Sequence, residues 1–166
     1  VIDATGRFLK RDELSAHLDA GAKRVFISRN AKDTIDRYVI PGINESSIKS
    51  SDQIISTTSS TTQVLALMVK MLDESFGLNR AMMTTVHAYT ADQSLADAAG
   101  VDLRRSRSAV ENIIPNTTLA PSIVENLMPQ FSGKLDGIAF NVPVPNGSCV
   151  DLTTELKNTP SIDEAN

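Results

Sequence analysis

Four short apolar runs punctuate the first third of the chain. They lie at residues 1–6, 25–28, 38–40 and 53–56, and the first of them ends at a glycine turn. Each is long enough for a buried strand but too short for a helix. Such strands, separated by helical or polar segments, predict a parallel sheet of the kind that binds nucleotides.

A first helix is predicted between the first two runs. Leu14 and Leu18 are four residues apart and share one face, Asp12 can cap the start, and Gly21 suits the end.

The strongest helical pattern follows the hydroxyl-rich segment 56–62 and closes at Gly77. Serine and threonine side chains favour a helix N-terminus because they accept hydrogen bonds from its free N–H groups. The apolar positions recur at steps of three and four and predict one apolar face: Val64, Leu67, Met68, Met71, Leu72 and Phe76.

The second half reads as strands with one short helix. Residues 82–90 are β-like, and residues 138–144 and 148–156 read as two strands joined by a Pro-Asn-Gly turn, which predicts a hairpin. A short helix with Ile123, Leu127 and Met128 precedes Pro129, and the stretch 91–108 is polar and irregular. The expected fold class is therefore α/β combined with α+β.

Composition and charge exclude several classes of function. The 166 residues carry a net charge of -4, which gives no positive field for nucleic acid. The longest apolar run, 64–69, is far shorter than the ~20 residues that cross a bilayer. A single cysteine, Cys149, cannot form an internal disulfide, so a cytoplasmic protein is expected.

Two places can carry chemistry. Ser59, Ser60 and Thr61 stand at a helix N-terminus, whose free N–H groups and positive partial charge attract phosphate or an oxyanion, although they can equally serve only as caps. His87 shares a strand face with Thr85 and is either a base or a hydrogen-bonded structural residue.

Other candidate chemistry is weaker. Arg104, Arg105 and Arg107 near Asp102 form an ion-pair patch or a phosphate site. The two histidines and one cysteine offer no metal-ligand spacing, and no dinucleotide glycine fingerprint follows Gly6.

Several longer motifs together resemble one enzyme family. The runs Ile-Ile-Ser-Thr-Thr-Ser-Ser-Thr-Thr-Gln and Thr-Thr-Val-His-Ala-Tyr-Thr-Ala-Asp-Gln are similar to phosphorylating glyceraldehyde-3-phosphate dehydrogenase. Five further motifs follow the same order and spacing, at residues 3–8, 21–23, 102–105, 112–115 and 142–146.

The resemblance implies an internal portion of a protein about twice as long. Residues 1–59 would be the second half of a Rossmann-type NAD-binding domain, and residues 60–166 an incomplete catalytic domain with a mostly antiparallel sheet. The first half of the cofactor domain would precede Val1, and a closing helix would follow Asn166. The implied cofactor is NAD or NADP, bound mostly by segments outside the chain, and the implied assembly is a cytoplasmic homo-tetramer. The residues implied to touch the cofactor here are Thr5, Gly6, Phe8 and Ser28.

The family reaction needs a cysteine thiolate at the helix N-terminus and a histidine that acts as base. His87 matches the histidine, but Ser60 occupies the nucleophile position. A hydroxyl is not ionised at neutral pH by the shifts that activate a thiol. Cysteine-dependent catalysis is therefore predicted to be weak or lost.

The implied phosphate sites are partly changed as well. Asn141 stands where the family has a phosphate-binding arginine, and Leu119 and Ser122 replace a glycine and a lysine. Val64 replaces the second cysteine and Gln63 the asparagine before it. Retained positions for a small phosphorylated aldehyde and inorganic phosphate are Ser59, Thr61, Thr90, Asp92 and Thr118.

Four other interpretations stay open. The protein could be an active aldehyde-phosphate dehydrogenase with another substrate, or a binding or regulatory subunit that uses the loop 91–108. An engineered Cys-to-Ser change would explain Ser60 but not Asn141 or Leu119. Ser60 and His87 could hydrolyse an ester, although the sequence shows no third group to orient the imidazole.

Overall fold

A computed structural model describes residues 1–166, which form two compact units, 1–70 and 71–166. The elements in chain order are β1 (Ile2–Asp3), α1 (Arg11–Asp19), β2 (Val25–Ile27), β3 (Arg37–Tyr38), β4 (Ile54–Ser56), α2 (Ser60–Phe76), β5 (Leu78–Ala88), β6 (Ile114–Asn116), α3 (Ala120–Leu127), β7 (Leu135–Val142), β8 (Ser148–Leu156) and α4 (Ile162–Ala165). Short 3-10 turns lie at 45–47 and 129–131. The predicted combination of α/β and α+β is confirmed, and the structure contains one parallel sheet and one mixed sheet.

The first unit is built on a fully parallel sheet in the order β1-β2-β4-β3. Strands β2 and β4 lie at its centre and contribute buried aliphatic side chains, against which α1 packs. The core cluster consists of Leu14, Val25, Ile27, Ile35 and Ile54.

Helix α1 forms as predicted, but its capping differs. Gly21 follows the helix with a φ of +98°, a conformation that favours glycine. Asp12 lies inside the first turn and is not the cap, because the helix already begins at Arg11. The Glu13 carboxylate accepts two backbone N–H groups just before the helix, and Asp33 accepts the N–H of Arg11.

Helix α2 does not bury the apolar stripe that its sequence emphasises. Val64, Leu67 and Met71 are exposed. The buried row follows the same three- and four-residue spacing on another side of the helix and consists of Thr62, Leu65, Ala66 and Val69. The helix is apolar on more than one side, so periodicity alone does not select the buried one.

The second unit contains a mixed sheet in the order β6-β7-β5-β8. Strand β5 pairs in parallel with β7 and antiparallel with β8, while β6 pairs antiparallel with β7. The predicted hairpin of β7 and β8 is therefore wrong. The eleven-residue β5 pairs along both of its edges, with β7 on one side and β8 on the other. The Pro-Asn-Gly segment crosses the end of β5, where the Ala88 N–H donates to the Gly147 carbonyl at 3.1 Å.

Helix α3 covers part of this sheet and contacts β7. Gly137 in β7 lies so close to Met83 and Pro121 that a β-carbon there would stand 3.1 Å from each. No helix in the chain is both long and apolar enough to cross a membrane.

Candidate functional site

A strained turn connects β4 to α2. Thr58 is buried and has a φ of +64°, a conformation that is a clear outlier for a β-branched residue. Its N–H donates to Ser56 Oγ at 2.9 Å, and Gln63 Nε2 donates to the Thr57 carbonyl at 2.7 Å. These bonds hold the turn from both sides, so α2 begins in a fixed position.

Ser59 caps α2, while Ser60 is left outside the cap. Ser59 Oγ accepts the N–H of Thr62 at 3.2 Å and shares a second hydrogen bond with its hydroxyl at 2.8 Å. Ser60 is the first helical residue and is exposed, and Thr61 behind it is half-buried. The Ser60 hydroxyl therefore stands where the free N–H groups and the positive end of the helix favour an anion.

Three of the four residues that the resemblance assigns to cofactor binding meet at one edge of the parallel sheet. Thr5 and Gly6 follow β1, and Ser28 follows the neighbouring β2 and donates its N–H to the Asp3 carbonyl at 3.2 Å. Gly6 has a φ of +70°, and a β-carbon on it would stand 2.8 Å from Arg29 Nη1. The carboxyl edge of parallel strands is where α/β sheets bind nucleotides, so these residues fit a dinucleotide.

Phe8, the fourth residue, lies next to α1. Its ring packs edge-on against the imidazole of His17, with the centroids 6.1 Å apart. His17 in turn has Nε2 3.3 Å from a carboxylate oxygen of the buried Asp3.

Asp3 anchors the turn that carries Thr5. Its Oδ1 accepts both the N–H and the hydroxyl of Thr5, at 2.9 and 2.8 Å. Burial acts to raise the pKa of Asp3, but the hydrogen bonds from Thr5 and His17 outweigh it, so the pKa lies below its ordinary value. No local motif indicates this network, because the carboxylate and the histidine lie 14 residues apart in the sequence.

In the second unit, His87 stands near the end of β5 and is half-buried. Its Nδ1 lies 2.8 Å from the carbonyl oxygen of Ala88. A carbonyl only accepts, so Nδ1 carries a proton, and in the corresponding neutral tautomer Nε2 is the acceptor. A backbone carbonyl thus supplies the orienting group that the sequence left unidentified.

Asn141 is paired with His87 across the parallel strands β7 and β5. It is buried, with 7% of its surface exposed. Its Nδ2 donates to the Ala88 carbonyl at 3.3 Å, and its Oδ1 accepts from Asn116 Nδ2 at 3.1 Å. Both ends of this neutral side chain are occupied within the protein, so it supplies neither the charge nor the fork with which an arginine binds phosphate.

The remaining candidate hydroxyls are bonded within their own segments. Thr90 donates its N–H and hydroxyl to Gln93 Oε1 at 2.7 and 3.1 Å, and Thr118 Oγ1 accepts the Ala120 N–H at 3.2 Å. Asp92 is exposed beside this turn.

Leu119 and Ser122, which the resemblance places where the family has a glycine and a lysine, lie at the start of α3. Leu119 is exposed, and the Ser122 hydroxyl donates to the Leu119 carbonyl at 3.0 Å. No cationic side chain replaces the lysine at this position.

In the segment 104–107 one arginine side chain forms an ion pair, and two other arginines form hydrogen bonds through the backbone. Arg107 Nε pairs with Asp97 at 3.2 Å, while Asp102 Oδ1 accepts the backbone N–H groups of Arg104 and Arg105 at 3.0 and 3.4 Å. Of the two interpretations, the geometry favours an exposed ion pair, between Arg107 and Asp97. As predicted, the stretch 91–108 contains neither helix nor strand.

Comparison with known proteins gives a consistent result. Residues 59–166 match the family described as glyceraldehyde 3-phosphate dehydrogenase, C-terminal domain. The whole chain is 46% identical to a glyceraldehyde-3-phosphate dehydrogenase of Mycobacterium bovis, covering 49% of that protein. It is 47% identical to the enzyme of Streptomyces coelicolor and 46% identical to that of Geobacillus stearothermophilus, covering 49% and 50% of them. The chain thus spans about half the length of the curated relatives it matches.

Proposed function

Since this chain belongs to the glyceraldehyde-3-phosphate dehydrogenase family, we propose that it is the central part of a dehydrogenase-like protein whose cysteine-dependent catalysis is weak or lost. The family reaction is the NAD-dependent oxidation of an aldehyde phosphate. The observation that carries the proposal is the exposed hydroxyl of Ser60 at the first position of α2, where that chemistry requires a thiol.

We assign residues 1–59 to the second half of the cofactor domain and residues 60–166 to the catalytic domain. The parallel sheet of the first unit and the family match from residue 59 onward support this division. Thr5, Gly6, Phe8 and Ser28 are the residues of this chain that would hold NAD or NADP. When bound, the dinucleotide supplies a hydride acceptor.

The chemical reason for weak turnover is the ionisation of the nucleophile. The pKa of a cysteine thiol is ordinarily ~8.5 and falls to ~3.5–7.5 at a helix N-terminus or beside an imidazole. A serine hydroxyl stays protonated at neutral pH in the same place. If the substitution removes about 5 kcal/mol of barrier lowering, turnover slows several thousandfold.

The phosphate-binding residues support the same proposal. The residues that the resemblance assigns to a phosphorylated aldehyde and to phosphate keep the family's residue types at Ser59, Thr61, Thr90, Asp92 and Thr118. The cations that would neutralise phosphate are replaced by Asn141 and Ser122, and Asn141 is buried and hydrogen-bonded at both ends. Binding of phosphorylated substrates is therefore expected to be weak.

The proposal extends to assembly and location. Membership of the family supports a homo-tetramer located in the cytoplasm.

NADH formation by the full chain tests this function. With glyceraldehyde 3-phosphate, NAD and phosphate we expect no turnover above background, and turnover comparable to the Geobacillus stearothermophilus enzyme as matched control would contradict the proposal. In a Ser60→Cys variant, we expect partial activity with a high KM for phosphate. Full activity with an ordinary KM would show that Asn141 and Leu119 do not weaken the phosphate sites.

A second candidate is an active dehydrogenase for a different aldehyde, and the geometry of His87 favours it. The base position is retained, and Nε2 is free of the Ala88 bond that holds Nδ1. The loss of cations predicts an aldehyde without a phosphate group. NADH formation with unphosphorylated glyceraldehyde, absent with the phosphorylated compound, would support this candidate over the first.

A further inference from the structure

Five side-chain and backbone groups near the end of β5 are joined by four hydrogen bonds, each with a fixed direction. The N–H of Thr117 donates to Asn116 Oδ1 at 2.9 Å. Because that oxygen is the acceptor, the other end of the Asn116 amide is its NH₂ group, which donates to Asn141 Oδ1.

The orientation of the Asn141 amide is fixed in the same way. Its oxygen faces Asn116, so its NH₂ group faces the Ala88 carbonyl, to which it donates at 3.3 Å. That carbonyl also accepts from His87 Nδ1 at 2.8 Å. One oxygen with two lone pairs therefore receives two donors, one from each of the paired strands.

We propose that Asn141 is a positioning residue for His87, which it holds, through the Ala88 carbonyl, as the neutral Nδ1–H tautomer with Nε2 as the proton acceptor. The inference rests on the proposed function, in which His87 occupies the base position. Asn141 thus replaces an anion-binding cation by a neutral group that orients the base.

The burial of Asn141 fixes the orientation of its amide. Asn141 is 7% exposed, so an end of its amide left without a protein partner would also lack a hydrogen bond from water. Turning the amide over would place oxygen against the Ala88 carbonyl and NH₂ against the Asn116 NH₂ group, so both bonds would be lost at once. The amide has one favourable orientation, and the carbonyl that it anchors is fixed with it.

The tautomer of His87 can be measured directly by ¹⁵N NMR of the full chain, well above the ordinary histidine pKa of about 6.5. Protonated and bare imidazole nitrogens give separate signals, so the spectrum reports which nitrogen carries the proton. We expect the wild type to show one tautomer, with the proton on Nδ1.

Asn141→Leu removes both hydrogen bonds while keeping a similar side-chain volume. We expect it to convert the single His87 tautomer into a mixture, whereas Asn141→Gln, which retains the amide, restores at least part of the Nδ1–H form. Asn126→Leu on the exposed side of α3 is the matched control and should leave His87 unchanged.

Asn116→Asp provides a second variant that leaves the buried site filled. Its carboxylate still accepts from Thr117 but no longer donates to Asn141, so we expect a smaller change of the same kind. A wild-type tautomer in a folded Asn141→Leu protein, or, if that variant does not fold, in Asn116→Asp, would overturn the proposal.

This outcome is separate from that of the proposed function. The tautomer is read without turnover, so an active wild-type enzyme would contradict the proposed loss of catalysis and leave the role of Asn141 standing. If the wild type is inactive and the tautomer of His87 is unchanged in Asn141→Leu, the proposed loss of catalysis stands and the role of Asn141 is contradicted.

Discussion

The side chain of Gln63 folds back over the first turn of α2 and donates from Nε2 to the carbonyl oxygen of Thr57, 2.7 Å away. This bond spans the turn at Thr58, whose positive φ carries a cost of about 1–3 kcal/mol. Gln63 therefore stabilises the backbone immediately before Ser60.

Removing this bond should destabilise the first unit. Gln63→Ala is expected to lower the free energy of unfolding by about 1 kcal/mol, the usual contribution of one hydrogen bond. Urea unfolding followed by circular dichroism measures the change. Gln53→Ala is the control, since that exposed side chain makes no such bond, and an equal loss in both variants would contradict the role of Gln63.

A thiol introduced at position 60 should report the electrostatics of the helix N-terminus. Ser60→Cys is expected to react with a disulfide reagent at pH 7 at least several times faster than Cys149, because the helix end stabilises a thiolate. Cys149 is exposed in β8 and serves as the internal control. Equal rates, measured in variants that carry one thiol each, would show that position 60 is not activated.

Acid should weaken the first unit through Asp36. Its carboxylate accepts the N–H groups of Ile54 and Gln53 at 2.8 Å each and pairs with Arg11 at 2.7 Å. Burial acts to raise the pKa of Asp36, but the hydrogen bonds and the ion pair lower it by more than burial raises it. The folded-state pKa therefore lies below the ordinary value of 3.8. A depressed pKa stabilises the fold above pH 3.8 and this stabilisation is lost as the pH falls through the folded-state value.

The corresponding test compares Asp36→Asn with the wild type between pH 7 and pH 2.5. We expect the variant to lose about 1–3 kcal/mol of unfolding free energy at pH 7, and the difference to shrink as the pH falls below about 4. Asp19→Asn, at an exposed position, is the control. A difference that stays constant with pH would exclude ionisation of Asp36 as its cause.

Gly6 should be intolerant of a side chain for two separable reasons. Gly6→Ala and Gly21→Ala both force alanine into a positive φ and should each lose about 1–2 kcal/mol of stability. Only at Gly6 does the added β-carbon also meet a neighbour, Arg29, at the carboxyl edge of the sheet. Calorimetric titration of NAD into the full chain should therefore show weaker binding for Gly6→Ala alone, and equal affinities would remove Gly6 from the cofactor site.

Much of the architecture was readable from local patterns. The strands at 25–28, 53–56 and 148–156, the helix that ends at Gly21 and the turn at Gly77 follow from apolar runs and glycine positions, and the structure contains each of them within about two residues. These features depend on interactions between residues close in sequence, which the sequence displays directly.

Pairing between distant segments was not readable. The Pro-Asn-Gly turn predicts a hairpin, yet β8 pairs with the opposite edge of β5, because the longest strand offers two edges and the turn does not specify a partner. The short β6 was not predicted at all, since its three residues, one of them proline, carry no alternation.

The candidate site divides in the same way. The residue identities show a hydroxyl at Ser60 and an amide at Asn141, and the resemblance implies that these positions belong to a nucleophile and to a phosphate-binding arginine. The hydrogen bonds of Asn141 become visible only in the folded structure, because its partners Ala88 and Asn116 lie 53 and 25 residues away along the chain. Hydrogen bonds are directional and short-ranged, so their partners are fixed by the strand register that brings β5, β6 and β7 together.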